Sequence, residues 1–476
     1  MTTSSEAPAG SPAPAGPAPA GAPPAPRARR APADLPFAFA DAALADALGA
    51  ERDEPGWLRE DRLAAAAAYE RLPVETSELY TSYVDFRGAD LFAARPYVRT
   101  ASAPAAPGEI PDGADGIIEL REDAVVRLAL APGVAERGVA LETLGAALAR
   151  DAAGIRGAIT STALPADEKL AWLSRGFWGQ GIHLHVPAGV VLERPIVLRW
   201  SAGTADRALL TRTLIRLDEG AEVALVEELV EPAAGVAGDG QALFGGTSEI
   251  DLGPGAVLRF ASIQDLATTT TVLQQRTARI GAGATLRFAI AHLGGRVVRS
   301  RIDNRLEGDG SEVEQVEIVF GGRDQLFDLT AYTRHVGQDT TGNLLSKAVL
   351  QHGARAYVKG LISIEKSARG TDSFLGEFGM LLDKQSRSVT IPSLEIDQPD
   401  CRRAGHASSV GPIDPAQLFY LESRGITPDE ARKFITLGFL EPVVARVPLE
   451  AEQERLWAIL EAKWAESKRA DAAPAA

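Results

Sequence analysis

Six histidines and a single cysteine are the side chains best suited to act as ligands, bases or nucleophiles. His183 and His185 stand in Gly-Ile-His-Leu-His-Val. Strand alternation puts both imidazoles on one face, a spacing that can chelate a metal; two polar residues alternating with Ile and Val equally describe a half-exposed strand. His292, His335 and His352 are isolated and read as surface or hydrogen-bonded core residues. His406 differs in its surroundings, Cys401-Arg-Arg-Ala-Gly-His406-Ala-Ser-Ser-Val-Gly411. This stretch reads as a loop between a last strand over Ser393 to Asp397 and a helix, and its small residues let a ligand or a second backbone approach closely. Cys401 cannot hold a cluster alone. As the only cysteine it excludes an intrachain disulfide and any C-x-x-C zinc or redox motif, which fits a reducing compartment.

Other chemistry is missing by motif. There is no G-x-x-x-x-G-K-[ST] phosphate loop, no G-x-G-x-x-G after a strand, no G-x-S-x-G elbow and no H-E-x-x-H. Carboxylates are plentiful, so a hydrolase or lyase acting on polysaccharide stays open, since such an enzyme needs only a few acids brought together by the fold. The net charge of −15, with no dense Lys/Arg run, argues against nucleic acid and against a membrane surface as partners. No apolar run approaches the roughly 20 residues that span a bilayer, and no secretory signal opens the chain. A cytoplasmic location is expected.

The elements that must position these residues fall into four stretches. Residues 1–34 are mostly Ala, Pro and Gly, a composition expected to be disordered. Residues 35–165 read as a helical and mixed region: two or three helices from Phe37 to Leu72, stopped by Pro73, then a β-like run Gly116 to Leu120 and a helix over Leu141 to Arg150. After a short helix at Leu170 to Phe177, residues 166–412 alternate apolar and polar residues punctuated by glycine, and one phrase recurs. It reads Leu217-Asp-Glu-Gly-Ala-Glu-Val-Ala-Leu, Leu252-Gly-Pro-Gly-Ala-Val-Leu-Arg-Phe and Ile280-Gly-Ala-Gly-Ala-Thr-Leu-Arg-Phe, with weaker echoes at Gly310-Ser311 and Gly353-Ala354. Intervals of about 27 to 43 residues suit a β-solenoid whose coils vary in loop length; an antiparallel sandwich with glycine turns is the alternative. In residues 413–476 helices return. Asp414-Pro415 and Thr427-Pro428-Asp429-Glu430 are helix starts, Ala431, Phe434, Ile435, Phe439 and Leu440 form an apolar stripe, and Leu456, Leu460 and Trp464 form another.

These blocks together resemble the SufB/SufD proteins of the Suf iron–sulfur cluster assembly system. Val186-Pro-Ala-Gly-Val-Val-Leu-Glu-Arg-Pro195-Ile is similar to the start of that family's β-helix, and Gly405-His406 through Arg424-Gly425-Ile to its end; Phe320-Gly-Gly-Arg-Asp-Gln, Ser346-Lys347 and Lys359-Gly-Leu-Ile-Ser-Ile-Glu resemble blocks between. The resemblance implies a mainly β protein: a right-handed parallel β-helix with an N-terminal helical region, a small C-terminal helical domain and no reaction of its own. It further implies a β-helix partnership between SufD and SufB, a SufC-type ABC ATPase held by the C-terminal helices, with Leu418, Phe419, Leu421, Phe434 and Phe439 as contact candidates, and no stable cofactor beyond iron or a nascent cluster at the subunit contact. SufB proteins carry a scaffold cysteine where this chain, aligned through Ser386-Arg-Ser388, has Glu377. That position, Trp57-Leu-Arg-Glu-Asp-Arg62 followed by Leu72-Pro73, and the Gly-His-Ala-Ser stretch look like SufD; Ile364 to Gly370 looks more like SufB. His406 matches the SufD histidine found in the loop before the C-terminal helices, and the resemblance implies that it takes part in cluster assembly by ligating iron or shuttling a proton at the contact with SufB. Ala404 stands where many SufD proteins have a cysteine, so any thiol role there would pass to Cys401.

Overall fold

The computed structural model describes residue 37 and residues 39–98, 108–161, 164–232 and 240–472. The Ala/Pro-rich stretch 1–34 lies outside them. Helices α1 (Ala42–Glu51) and α2 (Gly56–Arg71) come first. They are followed by a two-residue strand β1 (Arg95–Pro96), strands β2 (Gly116–Arg121) and β3 (Ala124–Leu130), helix α3 (Pro132–Ala135), strand β4 (Ala140–Thr143) and helices α4 (Leu144–Ser161) and α5 (Lys169–Phe177).

Strands then run without interruption by helix. First are β5 (Gln180–Val186), β6 (Ile196–Ser201), β7 (Arg207–Leu217), β8 (Glu222–Val230), β9 (Ala242–Leu252) and β10 (Val257–Asp265). Next come β11 (Thr270–Ile280), β12 (Thr285–His292), β13 (Val297–Leu306), β14 (Glu312–Gly321) and β15 (Leu326–His335). The last are β16 (Thr341–Leu350), β17 (Arg355–Ile364), β18 (Asp372–Leu381), β19 (Arg387–Ile396) and β20 (Arg403–Gly411). Helices α6 (Pro415–Glu422), α7 (Pro428–Val444) and α8 (Glu450–Ala472) close the chain.

From β5 onward odd strands build one sheet and even strands the other, each pairing in parallel with the strand two ahead. Each coil of the solenoid is thus one strand in each sheet, joined by two turns. One row of turns explains the repeated phrase. Gly220, Gly255, Gly283, Gly310, Asp339 and Gly370 occupy the same corner in successive coils, all at φ between 54° and 73°. Each donates its N–H to a carbonyl of the next corner: Gly220 to Pro254 at 2.9 Å, Gly255 to Ala282 at 2.8 Å, Gly283 to Asp309 at 2.9 Å and so on to Gly370 and Asp400 at 2.7 Å. Glycine is favoured because a β-carbon resists this left-handed backbone. Gly353, an apparent member of the series, lies instead in the opposite row of turns, between β16 and β17, and the corner it displaced from the reading is Asp339. The 43-residue interval therefore disappears, and the coils are more even than the phrase suggests.

Period-2 alternation sends neighbouring residues of one strand into different cores. In β10, Leu258 and Phe260 point into the solenoid with Phe288 and Ile280, while Ala261 and Ile263 point out against Leu437, Leu440, Leu456 and Leu460 of α7 and α8. In the odd sheet Val272 and Val298 point in. Leu273, Val297 and Leu326 point out against Leu48, Tyr69 and Phe177. Strands covered on both faces lose the simple polar alternation of a half-exposed sheet.

Two expectations are corrected here. Leu141 to Arg150 is not one helix: Leu141 belongs to β4, antiparallel to β5, and its side chain joins the solenoid core before α4 begins at Leu144. Pairing and burial outweigh the local helix preference of Leu-Glu-Thr-Leu. Nor does the solenoid respect a boundary at 166, since β2 pairs in parallel with β6 and β4 pairs antiparallel with β5.

Candidate functional site

Coverage of the two sheets by helices fails at the last coil. Strands β19 and β20 have a strand neighbour on one side only. They are mostly half-buried or exposed, and Ile396 and Val410 show 47% and 38% of their surface. His406 lies here, and the structure corrects its setting: Arg403–Gly411 is strand β20, in register with β18 from Asp372↔Arg403 to Met380↔Gly411. Small residues suggest a loop, but a parallel ladder is made by backbone groups, and β18 supplies them whatever the side chains of β20.

Register fixes where the imidazole stands. Ala404 packs on the interior cluster of Leu375, Ile362 and Leu394, so by alternation His406 and Ser408 share that inward row, stacked beside Leu375 and Glu377. Among the described residues no strand pairs beyond β20. His406 is exposed, and no hydrogen bond or ion pair joins its ring to another described residue. A histidine that merely tied the strand to the following helix would show such a bond.

Glu377, one coil deeper, is fully buried, and neither carboxylate oxygen has a hydrogen-bond partner of good geometry among the described residues. Burial pushes its pKa up to about 8, against a smaller pull from the Ile391 N–H. It is therefore held largely as the neutral acid at pH 7. Cys401 is half-buried in the turn before β20, where its Sγ donates to the Gln398 carbonyl at 3.0 Å. Burial and the neighbouring Asp400 raise its pKa, the opposite of an activated thiolate.

Four other histidines are tied down by ring contacts. His183 and His185 point outward from β5 with rings 6.4 Å apart, but His183 Nδ1 lies 3.1 Å from Glu142 and His185 Nε2 2.8 Å from Asp218. Arg150 and Arg216 neutralise those carboxylates in turn. Burial lowers the His183 pKa. Among the described residues no group of three or more His, Cys, Asp or Glu can hold a metal ion; the His183–Glu142 contact ties β4 to β5, and the His185–Asp218 contact ties β5 to the turn after β7. His292 bonds Glu317 at 2.8 Å inside the solenoid; His335, between Thr340 at 2.8 Å and Ser373 at 3.0 Å, is lowered by burial to about 4.

The second candidate surface is α6 with the start of α7. Asp414 caps α6, and Thr427 with Glu430 forms a complete capping box on α7. No residue of α6 is buried, and Phe419, Tyr420 and Phe434 show 72%, 57% and 62% of their surface. Leu418 and Leu421 are half-buried. Phe439 belongs elsewhere: it packs against the α7–α8 core with the Lys347 ammonium 4.6 Å from its ring.

Sequence reasoning missed a buried ionic clamp that holds the segment after α2 to the odd sheet. Arg299 meets Asp328 at 3.0 Å and Glu75 and Glu168 at 3.2 Å; Arg301 meets Glu168 at 3.1 Å and Asp303 at 2.9 Å; Lys359 meets Asp328 at 2.5 Å. The available signal was charge on alternate positions of strands that are otherwise apolar.

The described residues form a two-sheeted parallel β-helix with helices packed along both faces and edge strands β19 and β20 at its final coil. The family described as "SUF system FeS cluster assembly, SufBD core domain" matches residues 200–439, and the chain belongs to this SufBD family of iron–sulfur cluster assembly proteins. A SufBD family iron–sulfur cluster assembly protein of Staphylococcus epidermidis is 26% identical over 420 residues, 85% of this chain and 89% of that protein. One of Staphylococcus haemolyticus is likewise 26% identical over 420 residues with the same coverage. One of Mycobacterium leprae is 30% identical over 279 residues, 59% of this chain and 32% of that longer protein.

Proposed function

We propose that this chain is the SufD-like scaffold subunit of a cytoplasmic complex with a SufB-like paralogue and a SufC-like ABC ATPase. It catalyses nothing alone and holds no resident cofactor; iron or a nascent cluster passes through the contact with the paralogue. The SufD reading over the SufB one rests on Glu377, a buried acid where SufB proteins carry a thiol. ATP chemistry is left to the partner, in keeping with the missing phosphate loop.

One observation carries the reading: among the described residues His406 is exposed, has no ring partner and stands on the inward row of the last coil, beyond which no described strand pairs. A docked β-helix closes that row over the imidazole, a borderline ligand suited to Fe(II). His406→Ala, coexpressed with both partners, is expected to leave folding, pairing and ATP hydrolysis nearly intact and to abolish the visible absorbance of the cluster. A normal cluster yield per folded complex overturns the assignment.

A further inference from the structure

We propose that α8 is a proton-sensitive strap, held to the even sheet through a buried carboxylate pair, Glu228 of β8 and Glu452 of α8, and loosened when both are charged. One nitrogen makes the bridge. Arg455 Nη1 donates to Glu452 Oε2 at 3.1 Å and also to Glu228 Oε1, while Arg199 Nε of β6 donates to the other Glu228 oxygen at 2.6 Å. The Glu228 and Glu452 side chains are 1% and 10% exposed, so water screens little of their repulsion.

The cations are shared. Arg199 Nη1 also lies 3.6 Å from Glu119 of β2, which in addition meets Arg127 of β3 at 3.5 Å and Arg121 of β2 at 3.7 Å. Both carboxylates of the buried pair converge on the single Arg455 Nη1, so a proton on one of them relieves their repulsion. Burial and the Glu228 charge push Glu452 up to about 7, while Arg199 and Arg455 help hold Glu228 ionised. A second contact along α8 leans the same way. Burial raises Asp265 of β10 and lowers Lys463 of α8, with Glu466 nearby, so neither is a strong ionic anchor.

What the strap covers is a groove of about 780 Å³ between Arg455, Ile459 and Lys463 of α8 and the turns carrying Leu266, Arg296 and Gln351. Leu456, Leu460 and Trp464 hold the helix by apolar contact that does not titrate. The pH response is thus a change in how often α8 lifts. Because Glu452 is raised, its contribution is fully present below the usual carboxylate range and is lost as pH rises through about 7.

The inference does not depend on what binds α6 and α7. Amide hydrogen exchange over residues 450–466 of the full chain, corrected for intrinsic rates, is expected to lose at least about tenfold in protection between pH 6 and pH 8.5, the change that one unit of pKa shift produces. Glu452→Gln should keep the pH 6 protection at both values, and Glu228→Gln serves if the first variant does not fold. Equal protection of the native chain at both pH values, or an undiminished drop in the folded Gln variant, overturns the proposal.

Discussion

Glu377 and His335 lie on inward rows of neighbouring final coils and titrate in opposite senses. Glu377 is raised to about 8, so the native state binds its proton where the unfolded chain has released it, and stability falls as pH climbs from the usual carboxylate range to about 8. His335 is lowered to about 4, so its neutral form is favoured by folding and stability falls as pH drops from about 6.5 toward 4. Glu377→Gln, isosteric with the neutral acid, is expected to change the melting temperature little near pH 6. It should remove a loss on the order of a few kcal/mol between pH 6 and 9. Thermal melts of both proteins across that range check it, and parallel curves contradict the burial reading. His406 itself was legible as a special position because Gly, Ala and Ser crowd around it. Its face was not, because that depends on a register with Leu375 that no local spacing reveals.

At the scale of elements, helices α6 to α8 divide their labour. α7 and α8 bury Leu440, Val443, Leu456 and Leu460 on Ile263, Val316 and Phe320 of the even sheet, so removing everything after Gly411 would bare an apolar face of the solenoid. The cleaner probe leaves that core alone. Phe419→Ala with Phe434→Ala is expected to weaken binding of the ATPase at least about tenfold, as exposed aromatic anchors do at protein interfaces, with the melting temperature within about 2 °C of the native chain. A pull-down at unchanged affinity would place the ATPase elsewhere. The sequence shows these helices plainly through caps and apolar spacing, but not the outward turn of Phe434. That side chain shares a stripe with Leu440 only if the stripe is drawn too wide. The corner glycines were legible for the same local reason, a backbone conformation other residues resist, until Asp339 took that conformation and broke the phrase. Contacts such as Glu228 with Arg455 or Arg299 with Glu168 join residues far apart in sequence, and only the fold brings them together.

The whole molecule is a stack of coils with helices over both faces and one uncovered end, and an open end of parallel strands is a liability until something pairs with it. The Ala-, Pro- and Gly-rich composition of residues 1–34 predicts that their deletion leaves assembly of the complex unchanged, as size-exclusion profiles of the two forms would show. Membership in a three-part assembly is the central claim, and copurification tests it most directly. Coexpressed with the SufB-like paralogue and the SufC-like ATPase of the same source, this chain bearing the only affinity tag is predicted to bring down both, with cluster absorbance when prepared without oxygen. Recovery of the tagged chain alone, while the other two assemble a cluster-bearing complex without it, would contradict the account.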